Sequence, residues 1–209
     1  MVFVLAMGHR WRCVAYNRSV AESKSAIRKR IRAQRDAVPP GLRAEWSRRI
    51  CAQALSLSAY RSARTLHIFL SFQSEVDTRA IIEDAFADGK RVVVPVFVKG
   101  SDDTPCTLIT SLDEAAFDFG AWGLRTPKVI RSVPLDEIDL VFAPLVAYSP
   151  LPQGNGVARI GYGAGYYDRF LKRLRPGVPK IGLAFSLQCA DAIPIAPHDA
   201  LLDEVITER

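Results

Sequence analysis

The sequence has few cysteines and no long apolar run. The cysteines are far apart and include no C-x-x-C pair; they are Cys13, Cys51, Cys106 and Cys189. This spacing argues against a zinc site and against a disulfide-built secreted scaffold, so a reducing cytoplasm is the simplest compartment. No stretch approaches the roughly 18 to 20 apolar residues that span a bilayer, so we expect no membrane partner.

Several common catalytic and nucleotide-binding motifs are also absent. The sequence contains neither the G-x-G-x-x-G fingerprint of dinucleotide-binding domains nor a P-loop ending in Lys-Ser/Thr. No Ser-His-Asp or Cys-His set stands out among the 3 histidines and 4 cysteines. A covalent protein nucleophile is therefore not indicated.

Acidic residues are scarce at the start of the chain, and positive charge is concentrated there. Residues 1–50 hold 12 Lys/Arg and 3 Asp/Glu, whereas the other 159 residues hold 16 and 19. A local basic segment suits a polyanion, either nucleic acid or a nucleotide polyphosphate. For any single arginine, a solvated helix face is the simpler interpretation. The chain of 209 residues is otherwise 49% hydrophobic and 24% charged, as in an ordinary globular protein.

Residues 1–20 are an extension whose role the sequence leaves open. A short apolar run is followed by Arg10, Arg12 and Arg18 with no acidic residue. That order resembles a transit peptide more than a secretory signal. A later start, for instance at Met7, and a dispensable extension are equally compatible. We predict a single α/β domain over residues 21–209.

Apolar periodicity predicts strands that alternate with helices. Helices are expected over 23–37, 42–57, 78–88 and 165–174, and strands over 65–72, 91–98, 139–148 and 180–185. The Pro39–Gly41 segment should end the first helix, and Pro95 indicates a sheet edge or a bulge. We expect loops with short strands over 99–136 and a loop over 149–158. The pattern favours a three-layer α/β/α sandwich with a mostly parallel sheet, which binds ligands beyond the carboxyl ends of its strands.

The most informative stretch is R-I-G-Y-G-A-G-Y-Y-D-R-F-L, residues 159–171. Its three alternating glycines follow a strand and precede a helix, so backbone N–H groups there can approach phosphate oxygens. Asp168 is placed to bind Mg²⁺ or simply to stabilise the helix N-terminus. Arg159 can neutralise phosphate charge. Tyr166 and Tyr167 can stack on a ring, and we expect one of them to pack in the core.

This stretch resembles the R-L-G-x-G-x-G-Y-Y-D-R-x-L signature of the 5-formyltetrahydrofolate cyclo-ligase family. Three further segments resemble the family in the same order: 23–28, 69–78 and 198–208. The resemblance thus extends from about residue 22 to the end of the chain. It implies an α/β/α sandwich that converts ATP and 5-formyltetrahydrofolate into ADP, phosphate and 5,10-methenyltetrahydrofolate with Mg²⁺. It also implies a monomer or weak homodimer with these small-molecule partners and no nucleic acid.

The family's site residues carry over by position. Arg159 and Tyr167 would be catalytic. The ATP site would comprise Lys24, Arg28, Arg159, Gly161, Tyr162, Gly163, Ala164, Gly165, Tyr166 and Tyr167. The folate would be held by Phe72, Glu75 and Trp122, with Glu75 accepting hydrogen bonds from the pterin N–H groups. Asp168 would bind Mg²⁺, and Asp199 is a second candidate.

The sequence departs from the family pattern at a few positions. Ala164 stands where many members have Gly or Lys, and the loop over 149–158 is longer than usual. The segment 105–131 matches weakly, and Arg125-Thr126-Pro127 stands where Glu-Pro is common. Two alternatives therefore stay open: a paralogue that binds ATP but acts on another substrate or lacks cyclo-ligase activity, and a nucleic-acid-binding module that uses the basic residues 1–50.

Overall fold

The computed structural model describes residues 22–97, 103–120, 123–152 and 154–209. The extension predicted over residues 1–20 and the proposed folate contact Trp122 both lie outside these ranges. Among the described residues, no helix is long and apolar enough to cross a bilayer.

A six-stranded sheet forms the centre of the protein, in the order β10-β9-β6-β1-β2-β3. The strands are β1 Thr65–Ile68, β2 Arg91–Pro95, β3 Cys106–Ile109, β6 Leu140–Ala143, β9 Lys180–Leu183 and β10 Glu204–Ile206. All neighbours pair in parallel except β2 and β3, which are antiparallel. Two small antiparallel hairpins accompany the sheet: β4 Phe117–Phe119 with β5 Arg125–Pro127, and β7 Ala147–Pro150 with β8 Val157–Ile160.

Three helices cover one face of the sheet: α2 Pro40–Ser56, α3 Ser58–Ser62 and α4 Arg79–Ala87. Side chains alternate along the strands, so Leu66 and Ile68 of β1 face this layer and pack in one buried cluster with Ile50 and Ile81. Each such buried side chain stabilises the fold by about 1.5 to 3 kcal/mol. A shift of one residue in register would turn these side chains to the other face, so their burial fixes the register of the sheet.

The opposite face carries α5, Tyr166–Lys172, whose Tyr167 and Phe170 pack with Val93 and Val141. The remaining long helix is α1, Lys24–Asp36. Ser23 caps its start, because the Ser23 side chain accepts a hydrogen bond from the Ala26 N–H group. Ile27 and Ile31 of α1 pack on Val146 and Ile160 of the β7–β8 hairpin region. The three-layer α/β/α sandwich is thus confirmed.

Several predicted element boundaries were wrong for identifiable reasons. The strand expected over 139–148 is two strands, β6 and β7, because Pro144 between them cannot donate to a ladder. The loop expected over 149–158 shrinks to 151–156, since β7 and β8 extend into it. Pro40 begins α2 rather than only ending α1, as proline is compatible with a first helical turn.

Pro95 does not mark an edge or a bulge, because β2 lies between β1 and β3. The residue is tolerated since the pairing of β2 with β1 ends at Val93, two residues earlier. The short strands expected within 99–136 are confirmed as β3, β4 and β5.

Candidate active site

The candidate site lies at the end of the sheet where β1 stops. Four segments meet there: one face of α1 along its length, the loop over 69–78 after β1, the glycine turn over 161–165, and the carboxy-terminal segment around Asp199. Loops beyond the carboxyl ends of parallel strands are the usual ligand site of such sheets.

The glycine turn connects β8, which ends at Ile160, to α5, which begins at Tyr166. Gly163 has a φ of 111° and Gly165 a φ of 68°, backbone conformations that disfavour any side chain. Ala164 is not among the residues with positive φ, so its methyl group is accommodated without backbone strain. The departure from the family pattern at this position therefore leaves the turn intact.

Arg159 and Asp168 bracket the glycine turn and are joined across it. The Arg159 Nη2 atom donates to Asp168 Oδ1 at 2.9 Å, and the Ala200 N–H group donates to the same oxygen at 3.1 Å. The Arg159 side chain is 3% exposed, and its burial lowers its pKa while Asp168 opposes that shift. A buried guanidinium beside a turn of backbone N–H groups is a strong site for an anion.

Lys24 and Arg28 of α1 lie one helical turn apart on one face of the helix, and both bond to segments of the candidate site. Their contact with ATP phosphates, which the family resemblance implies, stays a prediction. Arg28 Nε donates to the Gly161 carbonyl oxygen at 2.8 Å. Lys24 forms an ion pair with Asp199, which also accepts a hydrogen bond from the Ala196 N–H group at 2.6 Å. Burial raises the pKa of Asp199, but the hydrogen bonds from Ala196 and Lys24 outweigh it and hold the pKa below its ordinary value.

The two proposed metal ligands, Asp168 and Asp199, are both close enough to Arg159 to act on its charge. Within the described part of the chain, no group of three or more His, Cys, Asp or Glu residues could hold a metal ion by itself. Two carboxylates suit Mg²⁺ only if substrate phosphates complete the coordination, which is the usual arrangement for this ion. The residues therefore fit a nucleotide-bound Mg²⁺ rather than a resident protein-held metal.

The loop after β1 holds Glu75 in a buried position. Its Oε2 atom accepts from the Phe72 N–H group at 2.9 Å, and the Glu75 N–H group donates to the Phe72 carbonyl oxygen at 3.2 Å. Gln73, between them, has a φ of 53°, an uncommon conformation of the kind found at functional sites. Burial raises the pKa of Glu75, while the Phe72 N–H group, Arg35 and Tyr162 oppose the shift.

A cavity of about 460 Å³ opens beside this loop, between α2, the start of α4 and the β4–β5 hairpin. Its lining mixes acidic, basic and apolar side chains and includes Arg43, Glu75, Arg79, Phe119 and Arg125. A volume of this size suits a drug-sized ligand. Phe72 is half-buried, and Gly123 of the neighbouring loop lies against its ring.

The paired tyrosines of α5 are both buried, but they differ in what their hydroxyl groups contact. Tyr166 donates to the Pro105 carbonyl oxygen at 2.9 Å, which ties the side chain into the core. The Tyr167 hydroxyl has no hydrogen-bond partner, although Glu75 and Arg159 both act on its charge. Burial is the main cause that raises the pKa of Tyr167. The Tyr167 ring lies 5.7 Å from the Arg159 guanidinium, beside the glycine turn.

Sequence reasoning did not single out two residues that shape the site. Arg35 is 1% exposed and contacts both the loop over 69–78 and Tyr162. Its spacing of four from Ile31 and eight from Ile27 places all three on one helix face, a signal that could have revealed its burial. His67 in β1 is fully buried against Tyr167 and Phe170, and burial lowers its pKa to about 3.

Comparisons with known proteins agree with this architecture. Residues 20–208 match the profile of the 5-formyltetrahydrofolate cyclo-ligase family. A probable 5-formyltetrahydrofolate cyclo-ligase of Caenorhabditis elegans is 37% identical over 161 residues, covering 71% of this chain and 75% of the relative. The 5-formyltetrahydrofolate cyclo-ligase of Mus musculus is 30% identical over 201 residues, covering 91% and 96%.

A solved structure with the same fold is the 5,10-methenyltetrahydrofolate synthetase of Aquifex aeolicus, with a TM-score of 0.73 and 26% identity over 89% of this chain and 90% of that one. Fold, site and sequence thus point to one assignment. The chain belongs to the 5-formyltetrahydrofolate cyclo-ligase family.

Proposed function

We propose that the chain catalyses the ATP-dependent cyclisation of 5-formyltetrahydrofolate to 5,10-methenyltetrahydrofolate, with release of ADP and phosphate. Membership of a ligase family implies ATP as co-substrate. The observation that carries the proposal is that Arg35 bonds both Ser74 of the loop after β1 and Tyr162 of the glycine turn, so the two halves of the site adjoin. Tyr167 lies beside the turn, with its ring 5.7 Å from the Arg159 guanidinium and its buried hydroxyl without a hydrogen-bond partner. The loop after β1, whose Glu75 suits a pterin, and the glycine turn, which suits a triphosphate, are thus neighbours in the site.

The reaction needs activation of a poor leaving group. Transfer of the γ-phosphoryl group to the formyl oxygen forms an O–P bond, releases ADP and makes the formyl carbon electrophilic. The N10 amine then attacks that carbon, the C–O bond breaks, phosphate departs, and the N10 hydrogen leaves as a proton. Phosphoryl transfer of this kind requires positioning and charge neutralisation more than a protein nucleophile.

The triphosphate would be held by the glycine turn and three cations. Backbone N–H groups from Gly161 to Gly165 cradle phosphate oxygens, and the positive φ values of Gly163 and Gly165 shape that cradle. Arg159, anchored by Asp168, lies behind the turn. Lys24 and Arg28 approach from α1, and Tyr162, Ala164 and Tyr166 contribute the intervening backbone.

Mg²⁺ would be held by Asp168, with Asp199 as a second ligand, together with the phosphates of ATP. When bound, the ion would neutralise part of the negative charge on the phosphate oxygens. Asp168 already pairs with Arg159, and Asp199 pairs with Lys24. Each carboxylate would therefore be shared between its side-chain cation and Mg²⁺.

The folate would occupy the cavity beside the loop after β1. Glu75, held by the Phe72 N–H group, presents a carboxylate to the pterin N–H groups. Phe72 packs on the ring system, and Trp122 is proposed to do the same. The cavity also presents Arg43, Arg79 and Arg125, whose charges suit the carboxylates at the other end of a folate.

Two observations bear on the alternatives. Arg125, which replaces the common glutamate, lines the cavity itself, and this keeps a paralogue with another substrate as a second candidate. The nucleic-acid alternative is weaker, because several cations of α1 already form hydrogen bonds or ion pairs with other residues of the protein. Arg28 and Arg35 bond within the site, and Arg30 pairs with Glu22. We propose no nucleic-acid partner and a monomer or weak homodimer.

We also propose a cytoplasmic protein, since Cys51, Cys106 and Cys189 are free thiols. One relative, from Arabidopsis thaliana, is named as mitochondrial, so the role of residues 1–20 bears directly on location. Fractionation of cells that express the full chain and a chain lacking residues 1–20 would distinguish the two compartments.

The function is tested by mixing protein, ATP, Mg²⁺ and 5-formyltetrahydrofolate and following the absorbance of the methenyl product. We expect product only when ATP is present. Glu75→Ala should raise the KM for folate far more than the KM for ATP. Hydrolysis of ATP with no methenyl product, in the presence of several reduced folates, would favour the paralogue.

A further inference from the structure

Arg35 occupies a position that connects both halves of the site. It lies in the last turn of α1 and is 1% exposed. Its Nε atom donates to the Ser74 hydroxyl at 2.9 Å, and its Nη2 atom donates to the Tyr162 hydroxyl at 2.8 Å. Ser74 belongs to the loop after β1, whereas Tyr162 belongs to the glycine turn. One buried guanidinium therefore holds the two segments together.

The contact with the loop is reinforced from the same helix. The Ser74 hydroxyl donates to the Asp36 carboxylate while it accepts from Arg35. Ser74 and Glu75 are adjacent in sequence and both are buried. Fixing Ser74 therefore limits the positions that the Glu75 backbone can adopt.

The contact with the turn is made at the Tyr162 hydroxyl, which accepts from Arg35. Tyr162 is also among the groups that lower the pKa of the buried Glu75 carboxyl. One oxygen of Glu75 accepts from the Phe72 N–H group. The aromatic ring of Tyr162 also lies 5.6 Å from the Arg32 guanidinium and 5.8 Å from that of Arg35.

We propose that Arg35 and the Tyr162 hydroxyl couple the two substrate sites, so that nucleotide bound at the glycine turn tightens the binding of folate. The inference rests on the proposed function, and it makes Arg35 a positioning residue that acts through Tyr162 and Glu75. Phosphates bound at residues 161–165 immobilise the backbone that carries Tyr162. Through Arg35, that hydroxyl then fixes Ser74 and with it the orientation of the adjacent Glu75, which receives the pterin.

The coupling has a required thermodynamic symmetry. If nucleotide raises folate affinity by some factor, folate raises nucleotide affinity by the same factor. A series of buried hydrogen bonds can transmit such an effect. Leaving one buried polar group unpaired is costly, so the bonds of the series tend to form or break together. The arrangement would favour the ternary complex over the complex with either substrate alone.

The experiment measures folate affinity with and without a non-hydrolysable ATP analogue and Mg²⁺. In the wild-type chain we expect the analogue to tighten folate binding by about fivefold or more, within the usual range of coupled sites. Tyr162→Phe keeps the ring between the two arginines and removes only the hydroxyl. Its coupling factor should fall towards one.

Arg32→Met is the matched control, because Arg32 contacts the Tyr162 ring but is not part of the hydrogen-bonded chain. It should keep the wild-type factor. Arg35→Lys should lose the coupling as well. If Arg35→Lys does not fold, Tyr162→Phe still tests the proposal.

Failure of the inference and failure of the function have different signatures. Wild-type protein that binds both ligands without coupling overturns the inference, and so does coupling that survives in Tyr162→Phe. Equal loss in Arg32→Met and Tyr162→Phe also overturns it, since the ring and not the hydroxyl would then be responsible. Wild-type protein that binds neither ligand overturns the proposed function itself.

Discussion

Lys24 and Asp199 lie 175 residues apart in sequence and form an ion pair beside the glycine turn. The pair joins the start of α1 to the carboxy-terminal segment, and both side chains are largely withdrawn from solvent, with 28% and 12% exposed. In the proposed nucleotide complex, a phosphate would offer Lys24 a new counter-charge and Mg²⁺ would do the same for Asp199. We therefore expect bound ATP and Mg²⁺ to share or break this ion pair.

Lys24→Ala should weaken ATP far more than folate. Loss of one charge-assisted contact to phosphate costs about 1.5 to 3 kcal/mol, or roughly ten- to a hundredfold in ATP affinity. Arg30→Ala is the control, since Arg30 is exposed and pairs with Glu22. Equal shifts in the ATP KM for Lys24→Ala and Arg30→Ala would reduce the effect to general electrostatics.

Asp168→Asn should keep the fold and lose Mg²⁺-dependent turnover. The amide oxygen of asparagine can still accept from Arg159 and from the Ala200 N–H group, so the melting temperature should change little. The metal site loses a charge, and turnover at limiting Mg²⁺ should fall at least about tenfold. Asp88→Asn, on an exposed helix end, is the control. Turnover that keeps the wild-type Mg²⁺ titration would remove Asp168 from the metal site.

Glu75→Gln tests the buried acid through pH. Burial raises the pKa of Glu75 above the ordinary value of 4.5, so the folded state favours the protonated form. Its stabilising contribution is complete below pH 4.5 and is lost as pH rises through the raised pKa. The melting temperature of Glu75→Gln relative to the wild type should therefore increase with pH over that interval.

The same residue predicts a pH dependence of substrate binding. In the proposed folate site the pterin binds ionised Glu75. The wild-type folate KM should then rise as pH falls through the raised pKa, and Glu75→Gln should have a high folate KM without that step. Glu83→Gln is an exposed control. For the stability prediction, a melting-temperature difference between Glu75→Gln and the wild type that stays constant with pH would show that burial does not raise the pKa of Glu75.

Alanine at the glycines of the turn should destabilise the protein for backbone reasons. Gly165 has a φ of 68°, a left-handed conformation that costs a residue with a side chain roughly 1 to 2 kcal/mol. A Cβ there would also lie 2.7 Å from the Arg169 Nη1 atom, but that flexible side chain can move. Gly41→Ala is the matched control, because Gly41 lies in α2 with open space around it and should become slightly more stable. Chemical denaturation of both variants decides the point.

Removal of residues 1–20 should leave activity and melting temperature nearly unchanged. The prediction follows from the family match, which begins at residue 20, and from the lack of any helical or strand period in the segment. A shortened chain that precipitates or loses turnover would show that these residues belong to the domain.

The fold could be read from the sequence wherever periodicity was strong. Apolar β1, β2 and β9 and the amphipathic α4 follow local patterns, and the glycine turn follows from residues 159–171. The edge strand β10 could not be anticipated, because its three residues carry no period and depend on pairing with β9. The Lys24–Asp199 pair and the burial of Arg35 depend on tertiary contacts between segments that are distant in sequence.

Single-turnover stoichiometry tests the central claim most directly. Protein in excess over 5-formyltetrahydrofolate, with ATP and Mg²⁺, should form one methenyl product for each ADP and each phosphate released, with all three appearing together. Methenyl product formed without ATP consumption, or ADP and phosphate released without methenyl product, would contradict the account.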